Sequence, residues 1–131
     1  MSPSAQWDSM TSQQKIEWLA VNLMGWKPSE DGGLWEGDGA IFNARGKFYE
    51  IDRGQFCDVW SPLTNWNHTM EVVEMLRTKK GMWLLFDHFP YNGHKYVAYE
   101  ATGCADHDYG MHAYGSSAQL ALCKAAFLAM K

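Results

Sequence analysis

The densest group of side chains that could do chemistry lies between residues 104 and 112. Cys104, His107 and His112 offer sulfur and imidazole ligands, and Asp106 and Asp108 offer carboxylate oxygens. Such donors at short spacing can bind zinc. Cys104 and His107 make one Cys-x-x-His half, however, and no matching pair is evident elsewhere in the sequence. We therefore expect no bound metal and interpret this segment as a polar surface loop. The alternative is a small metal-dependent enzyme built on residues 104–112.

Covalent catalysis would need a Ser or Cys beside a His and a third residue that orients the His. The chain has no Gly-x-Ser-x-Gly motif, and its glycines between residues 32 and 39 lack the spacing of phosphate-binding loops. Cys123 lies in an apolar run, where a small buried residue is the simpler interpretation, and Cys57 is interpreted in the same way. The sequence therefore predicts a protein without enzymatic activity and without a cofactor.

Aromatic residues are unusually frequent, with 7 Trp, 6 Tyr and 6 Phe. Most should lie in the core, but tryptophan is enriched at binding hot spots and aromatic rings stack on nucleobases. The guanidinium of Arg53, near Phe48 and Tyr49, suits a phosphate or carboxylate ligand, and a surface ion pair is the simpler alternative. The candidate residues for binding a ligand or partner are therefore Trp35, Tyr49, Arg53, Trp60, His107 and Tyr109.

The charge balance and the cysteine count restrict the partners and the compartment. Eleven basic against fifteen acidic residues give a net charge of −4, which argues against binding duplex nucleic acid through its phosphates. An odd number of widely spaced cysteines favours a reducing environment. We find no secretory signal and no apolar run long enough to span a membrane. These features predict a cytoplasmic protein that does not bind membranes.

The elements that must position these residues follow from capping signals and periodicity. Thr11 and Gln14 fit a capping box at the start of a helix. An apolar stripe follows it, and Gly25 ends the helix. Residues 1–10 are expected to form a flexible terminus. The stripe consists of Ile16, Leu19, Ala20 and Leu23.

Glycine-rich turns every few residues between positions 30 and 58 predict a β-meander. A second helix should begin after Asn65 and end at Gly81, with four apolar side chains packed on the sheet. A hairpin follows over residues 82–101, with its turn at Asn92-Gly93, and a last helix starts at Ser116 or Ser117. The four apolar residues of the second helix are Trp66, Met70, Val73 and Leu76.

This order of elements predicts an α+β fold in a single domain, residues 1–131, with an antiparallel sheet packed between three helices. The last helix is apolar nearly all round. Because one small domain has little left to cover its second side, we expect a homodimer through this helix, with a groove between the subunits for a ligand.

Three short motifs resemble those of the phage ABA sandwich domain family of small phage and prophage proteins. They are Leu23–Trp26 at the end of the first helix, Trp60–Thr64 with Met70–Met75 around the second, and Ala121–Ala126 in the last. The resemblance implies an antiparallel sheet between helices and supplies no catalytic residues. It also implies a phage accessory protein in the host cytoplasm. We expect an anti-defence inhibitor that blocks a host defence protein or sequesters a small nucleotide signal. A structural or assembly accessory of the virion is the alternative.

Overall fold

The structure is a computed structural model that describes residues 2–28, 34–37, 40–43, 47–50, 55–91, 93–100 and 112–131. The chain divides into two compact units, which we describe separately. One unit comprises Met10–Ser61, and the other comprises Met1–Ser9 together with Pro62–Lys131. The prediction of a single domain stays a prediction.

The unit Met10–Ser61 begins with the helix that the capping box predicts. The backbone N–H of Gln14 donates to Thr11 Oγ1 at 3.1 Å, and the backbone N–H of Thr11 donates to Gln14 Oε1 at 2.9 Å. Helix α2 (Ser12–Trp18) continues as a π-helical turn over Leu19–Leu23. The apolar residues Leu19, Ala20 and Leu23 of this turn are buried, which confirms this part of the stripe.

The β-meander that the glycine spacing predicts is confirmed. Five strands follow one another in chain order, each antiparallel to the next. Short strands separated by turn residues pair with their nearest neighbours because little chain has to be ordered between them. The strands are β1 (Lys27–Pro28), β2 (Leu34–Gly37), β3 (Ala40–Asn43), β4 (Lys47–Glu50) and β5 (Gln55–Val59).

The second unit contains a three-stranded antiparallel sheet covered on one face by helix α4 (Ala118–Met130). The order of the strands is β6–β7–β8, with β6 at Leu84–Tyr91, β7 at His94–Glu100 and β8 at His112–Gly115. A Cβ atom added to Gly115 would lie 2.7 Å from the backbone nitrogen of Ala121. Only glycine therefore lets β8 approach α4 this closely.

Helix α3 (Trp66–Lys80) has the predicted ends but a different buried face. The side chain of Asn65 accepts hydrogen bonds from the first turn, and Gly81 ends the helix with φ at 66°. Val73 and Leu76 are buried as expected, whereas Trp66 and Met70 are exposed, which corrects the prediction. The buried face also includes Val72 and a threonine, because hydrogen bonds inside the unit satisfy the Thr69 hydroxyl.

Helix α4 is covered within its own unit. The sheet packs on one side, α3 on another, and helix α1 (Pro3–Ser9) also contacts it. Residues 121–127 are all buried, among them Lys124, whose ammonium lies 3.0 Å from Asp8 Oδ1. The reason for predicting a homodimer through α4 is therefore removed, because other elements of the chain cover its apolar surface.

The N-terminal segment is a packed helix, contrary to the expectation of a flexible terminus. Trp7 of α1 is buried, and its ring centroid lies 5.2 Å from that of Phe127. Burial of the Trp7 side chain therefore offsets part of the entropy that is lost when α1 is ordered.

The fold class α+β is confirmed. The described residues form four helices rather than the three expected, because α1 was missed. Within the same residues, no helix is long and apolar enough to cross a membrane.

Candidate functional site

The candidate binding residues from the sequence are not brought together in the described part of the chain. Trp35 lies in β2 opposite Phe42 of β3, and Tyr49 lies in β4 opposite Ile41. Trp35 and Tyr49 therefore lie on two strands that are separated by β3. Arg53, His107 and Tyr109 lie outside the described residues.

Trp60 is a core residue of its unit. Its side chain is 1% exposed and packs edge-on against Trp26, with ring centroids 4.7 Å apart. This corrects its assignment to a ligand-facing position. The aromatic character of Trp60 stabilises the unit, since T-shaped pairs are favourable beyond the area that they bury.

The possible zinc ligands fall largely outside the described residues, which include only His112 of the group at 104–112. His112 opens β8, and its ring lies 6.4 Å from that of Tyr99. Tyr99 in turn donates a hydrogen bond to Asp87 Oδ2 at 3.0 Å. Where side chains are described, no group of three or more His, Cys, Asp or Glu residues could hold a metal ion.

Cys123 is a buried core residue, which confirms the interpretation from the sequence. Burial raises the pKa of its thiol because the thiolate would lose its hydration. The Sγ atom lies 3.2 Å from the carbonyl oxygen of Pro62 and is placed to donate to it. A protonated, enclosed thiol is neither a nucleophile nor a metal ligand.

The structure reveals a different surface, which we call the apolar patch and define as Trp66, Met70, Trp83 and Phe86. These side chains are 42%, 45%, 52% and 41% exposed. The rings of Trp66 and Phe86 lie 5.4 Å apart, and Met70 follows Trp66 by one helical turn. The Arg77 guanidinium lies 5.0 Å from the centre of the Trp83 ring. Helix α3 and the start of β6 thus build the patch together.

One sequence pattern bears on this patch, and it predicts a core stripe. Trp66, Met70 and Val73 recur at helical spacing, and such a stripe usually faces the core. Only Val73 does so in the structure. Phe86 lies in β6 and Trp83 comes just before it. For these two residues, the sequence pattern does not show which face of the strand is covered by other elements.

Comparison with known proteins agrees with this architecture. A family model described as the phage ABA sandwich domain matches residues 17–127. A solved structure of a phage protein from Bacillus cereus ATCC 14579 is similar in fold, with a TM-score of 0.57 and 15% sequence identity. The similarity covers 93% of this chain and 94% of that one. No curated protein matches the sequence. Since the family model spans most of its length, the chain belongs to the phage ABA sandwich domain family.

Proposed function

We propose that this protein is a non-catalytic phage accessory protein that acts by binding, as an anti-defence inhibitor that blocks a host protein. The observation that supports the proposal is the apolar patch. The rings of Trp66 and Phe86 are in contact, and each of the four residues of the patch is at least 41% exposed. Isolated exposed apolar residues are common on protein surfaces, whereas grouped ones mark sites where another molecule binds.

The composition of the patch favours a protein as the partner. Tryptophan and arginine are the residues most enriched among those that dominate protein–protein binding energy. The patch offers two tryptophans, and Arg77 stacks on one of them. Methionine adds a side chain that adapts its shape to the partner. This combination suits a protein surface better than a small polar ligand.

Sequestration of a small nucleotide signal receives less support from the described residues. Such a site would need aromatic rings and a cation around one cavity. Trp60 is enclosed in its unit. Trp35 and Tyr49 lie in two strands that are separated by β3, so pairing of the described strands does not place these two residues next to each other.

A plaquing assay in the phage's bacterial host tests the proposal. A phage that lacks the gene is complemented with the wild-type protein or with a Trp66→Ser/Met70→Ser double variant. Val21→Ser serves as the matched control, because Val21 is 38% exposed and lies in the other unit. We expect the double variant to lose plaquing on the defended host and the control to retain it.

A second host strain, without its defence systems, separates the alternatives. An inhibitor of defence is dispensable there, so all variants should give equal numbers of plaques. Loss of plaquing by the double variant on both strains would instead indicate an accessory role in virion assembly. Full activity of the double variant on the defended host would contradict the role of the apolar patch.

A further inference from the structure

Strand β6 is an outer strand of the described three-stranded sheet and carries Phe86 of the apolar patch. Among the strands that the structure describes, β6 pairs only with β7. Every second residue of such an outer strand directs its N–H and C=O groups away from the sheet. Proteins commonly protect these edges with charges, proline or a bulge. In β6, the exposed Asp87, Pro90 and the irregular register between His88 and Tyr91 lie toward the far end, so residues 84–86 are the less protected part.

Helix α3 approaches β6 through side chains near its two ends. Trp66 at the start of α3 contacts Phe86, and Arg77 near its end contacts Trp83, just before β6. A strand added to β6 would therefore lie alongside α3. Since successive side chains of a strand point to opposite faces, every second side chain of the added strand would meet the apolar patch.

The area of the patch fits a single added strand. An aromatic side chain buries about 150–250 Å², so four large side chains exposed by about half leave roughly 300–500 Å² of apolar surface. This is about half of the ~800 Å² that each partner contributes to a stable interface between folded domains. A second folded copy of the chain would thus be held weakly by this surface, whereas an extended segment of five or six residues would cover it.

The charges beside the patch restrict the occupant further. The last turn of helix α3 carries Arg77, Lys79 and Lys80, and the Arg77 guanidinium lies 5.0 Å from the centre of the Trp83 ring. Glu74 pairs with Arg77 at 2.8 Å, and both lysines are exposed. An acidic side chain at this end of the bound segment would meet complementary charge.

We propose that the apolar patch binds an extended segment of a host protein, which adds to the sheet as a strand beside β6. The segment carries large apolar side chains at alternate positions and an acidic residue at the end next to Trp83. This inference rests on the proposed function and specifies the partner of the same surface. Backbone hydrogen bonds to β6 contribute affinity, and the patch selects the side chains.

A library of random twelve-residue peptides displayed on yeast, selected on the immobilised full-length protein, tests the proposal. We expect selected peptides to carry apolar residues at alternate positions and an acidic residue at one end. Phe86→Ser should weaken the binding of a selected peptide about tenfold or more, as for other anchors of a binding site. Val21→Ser should leave it unchanged. Lys79→Glu/Lys80→Glu should weaken it as well, whereas the exposed Lys95→Glu, on β7, should not.

Backbone methylation of a synthetic selected peptide tests strand addition on the wild-type protein, independently of how the variants fold. Methyl groups on alternate amide nitrogens remove the N–H donors of one edge of the peptide, whereas its carbonyl acceptors remain. We expect one alternate set to weaken binding about tenfold or more, since two hydrogen bonds are lost. The other set faces away from β6 and should change affinity less than about twofold.

Equal effects of the two methylated sets would overturn strand addition, as would selected peptides with apolar residues at helical spacing. A selection without binders, or a dimer of the protein that Phe86→Ser dissociates, would also overturn it. If the plaquing assay depends on the patch while the methylated peptides bind alike, the proposed function stands and this inference fails.

Discussion

In the second unit, hydrogen bonds from two side chains connect helices α3 and α4 to one buried backbone carbonyl. The hydroxyl of Thr69 lies 2.7 Å from the carbonyl oxygen of Pro62 and 2.9 Å from that of Asn65. The same Pro62 oxygen receives the thiol of Cys123 from α4. Helices α3 and α4 thus share one buried carbonyl as a hydrogen-bond acceptor. Thr69, a polar residue, therefore occupies a core position where helical periodicity predicts an apolar residue.

We expect Thr69→Val to lower the free energy of unfolding by about 1–2 kcal/mol, because the Pro62 carbonyl then keeps only a weak thiol donor. Thr78→Val is the matched control on the same helix. Its hydroxyl bonds to the carbonyl of Glu74 at the surface, where water can replace it, so its effect should stay below about 0.5 kcal/mol. Urea unfolding measures both, and equal effects would contradict the role of Thr69.

The buried thiol of Cys123 predicts a dependence of stability on pH. Burial raises its pKa above the ordinary 9.0. The unfolded chain loses this proton as the pH passes that value, whereas the folded chain keeps it, so stability falls as the pH rises. Between pH 9 and 10.5, the wild type should lose up to about 1.4 kcal/mol per pH unit more than Cys123→Ala. Parallel pH profiles of the two proteins would contradict the shift.

Among the elements, α3 shows how one helix can carry both a core face and a binding face. The core face is Thr69, Val72, Val73 and Leu76, and the flank with Trp66 and Met70 remains exposed. Helical periodicity places the two faces side by side. A partner on the flank therefore requires no rearrangement of the core.

Substitutions on the two faces of α3 should differ in their effect on stability. We expect Leu76→Ala to cost about 2–5 kcal/mol, because Leu76 is fully buried and its removal leaves a cavity. Met70→Ala should cost less than about 1 kcal/mol, since Met70 is exposed. Thermal or urea unfolding provides both values, and the reverse order would mean that the phase of the helix is wrong.

The short helix α1 depends on one aromatic residue and one ion pair for its position. We expect Trp7→Ala to lower the free energy of unfolding by about 3–5 kcal/mol, since the Trp7 side chain is buried against Phe127. Trp66→Ala is the matched control, because it removes the same side chain from an exposed position. Its cost should not exceed about 1 kcal/mol. If Trp7→Ala is equally mild, α1 is not part of the packed unit.

For the whole molecule, the covered α4 changes the expected assembly. Since the sheet, α3 and α1 contact α4 and residues 121–127 are buried, these residues are not available for a subunit interface. The apolar patch is about half the size of a standard interface surface. We therefore expect sedimentation at micromolar concentration to give the mass of one chain, 14.9 kDa. A dimer that persists in Phe86→Ser would contradict this expectation and indicate an interface outside the patch.

The local features of the fold follow from neighbouring residues in the chain. The Thr11 capping box, the Asn65 and Gly81 ends of α3 and the meander were all predicted correctly. Each depends on hydrogen bonds or backbone angles within a few residues, so neighbouring residue types suffice to specify it. The order of these elements then indicated the α+β class, and three short motifs indicated the family.

Which apolar residues are covered depends instead on how distant segments pack together. Trp7, Trp60 and Trp66 have the same side chain, yet the first two are buried and the third is exposed. Burial depends on which distant segments meet: α1 packs on α4 across more than one hundred residues of sequence. Helical spacing identifies an apolar stripe but does not state what lies against it. The position of the apolar patch was therefore fixed by packing that local sequence cannot encode.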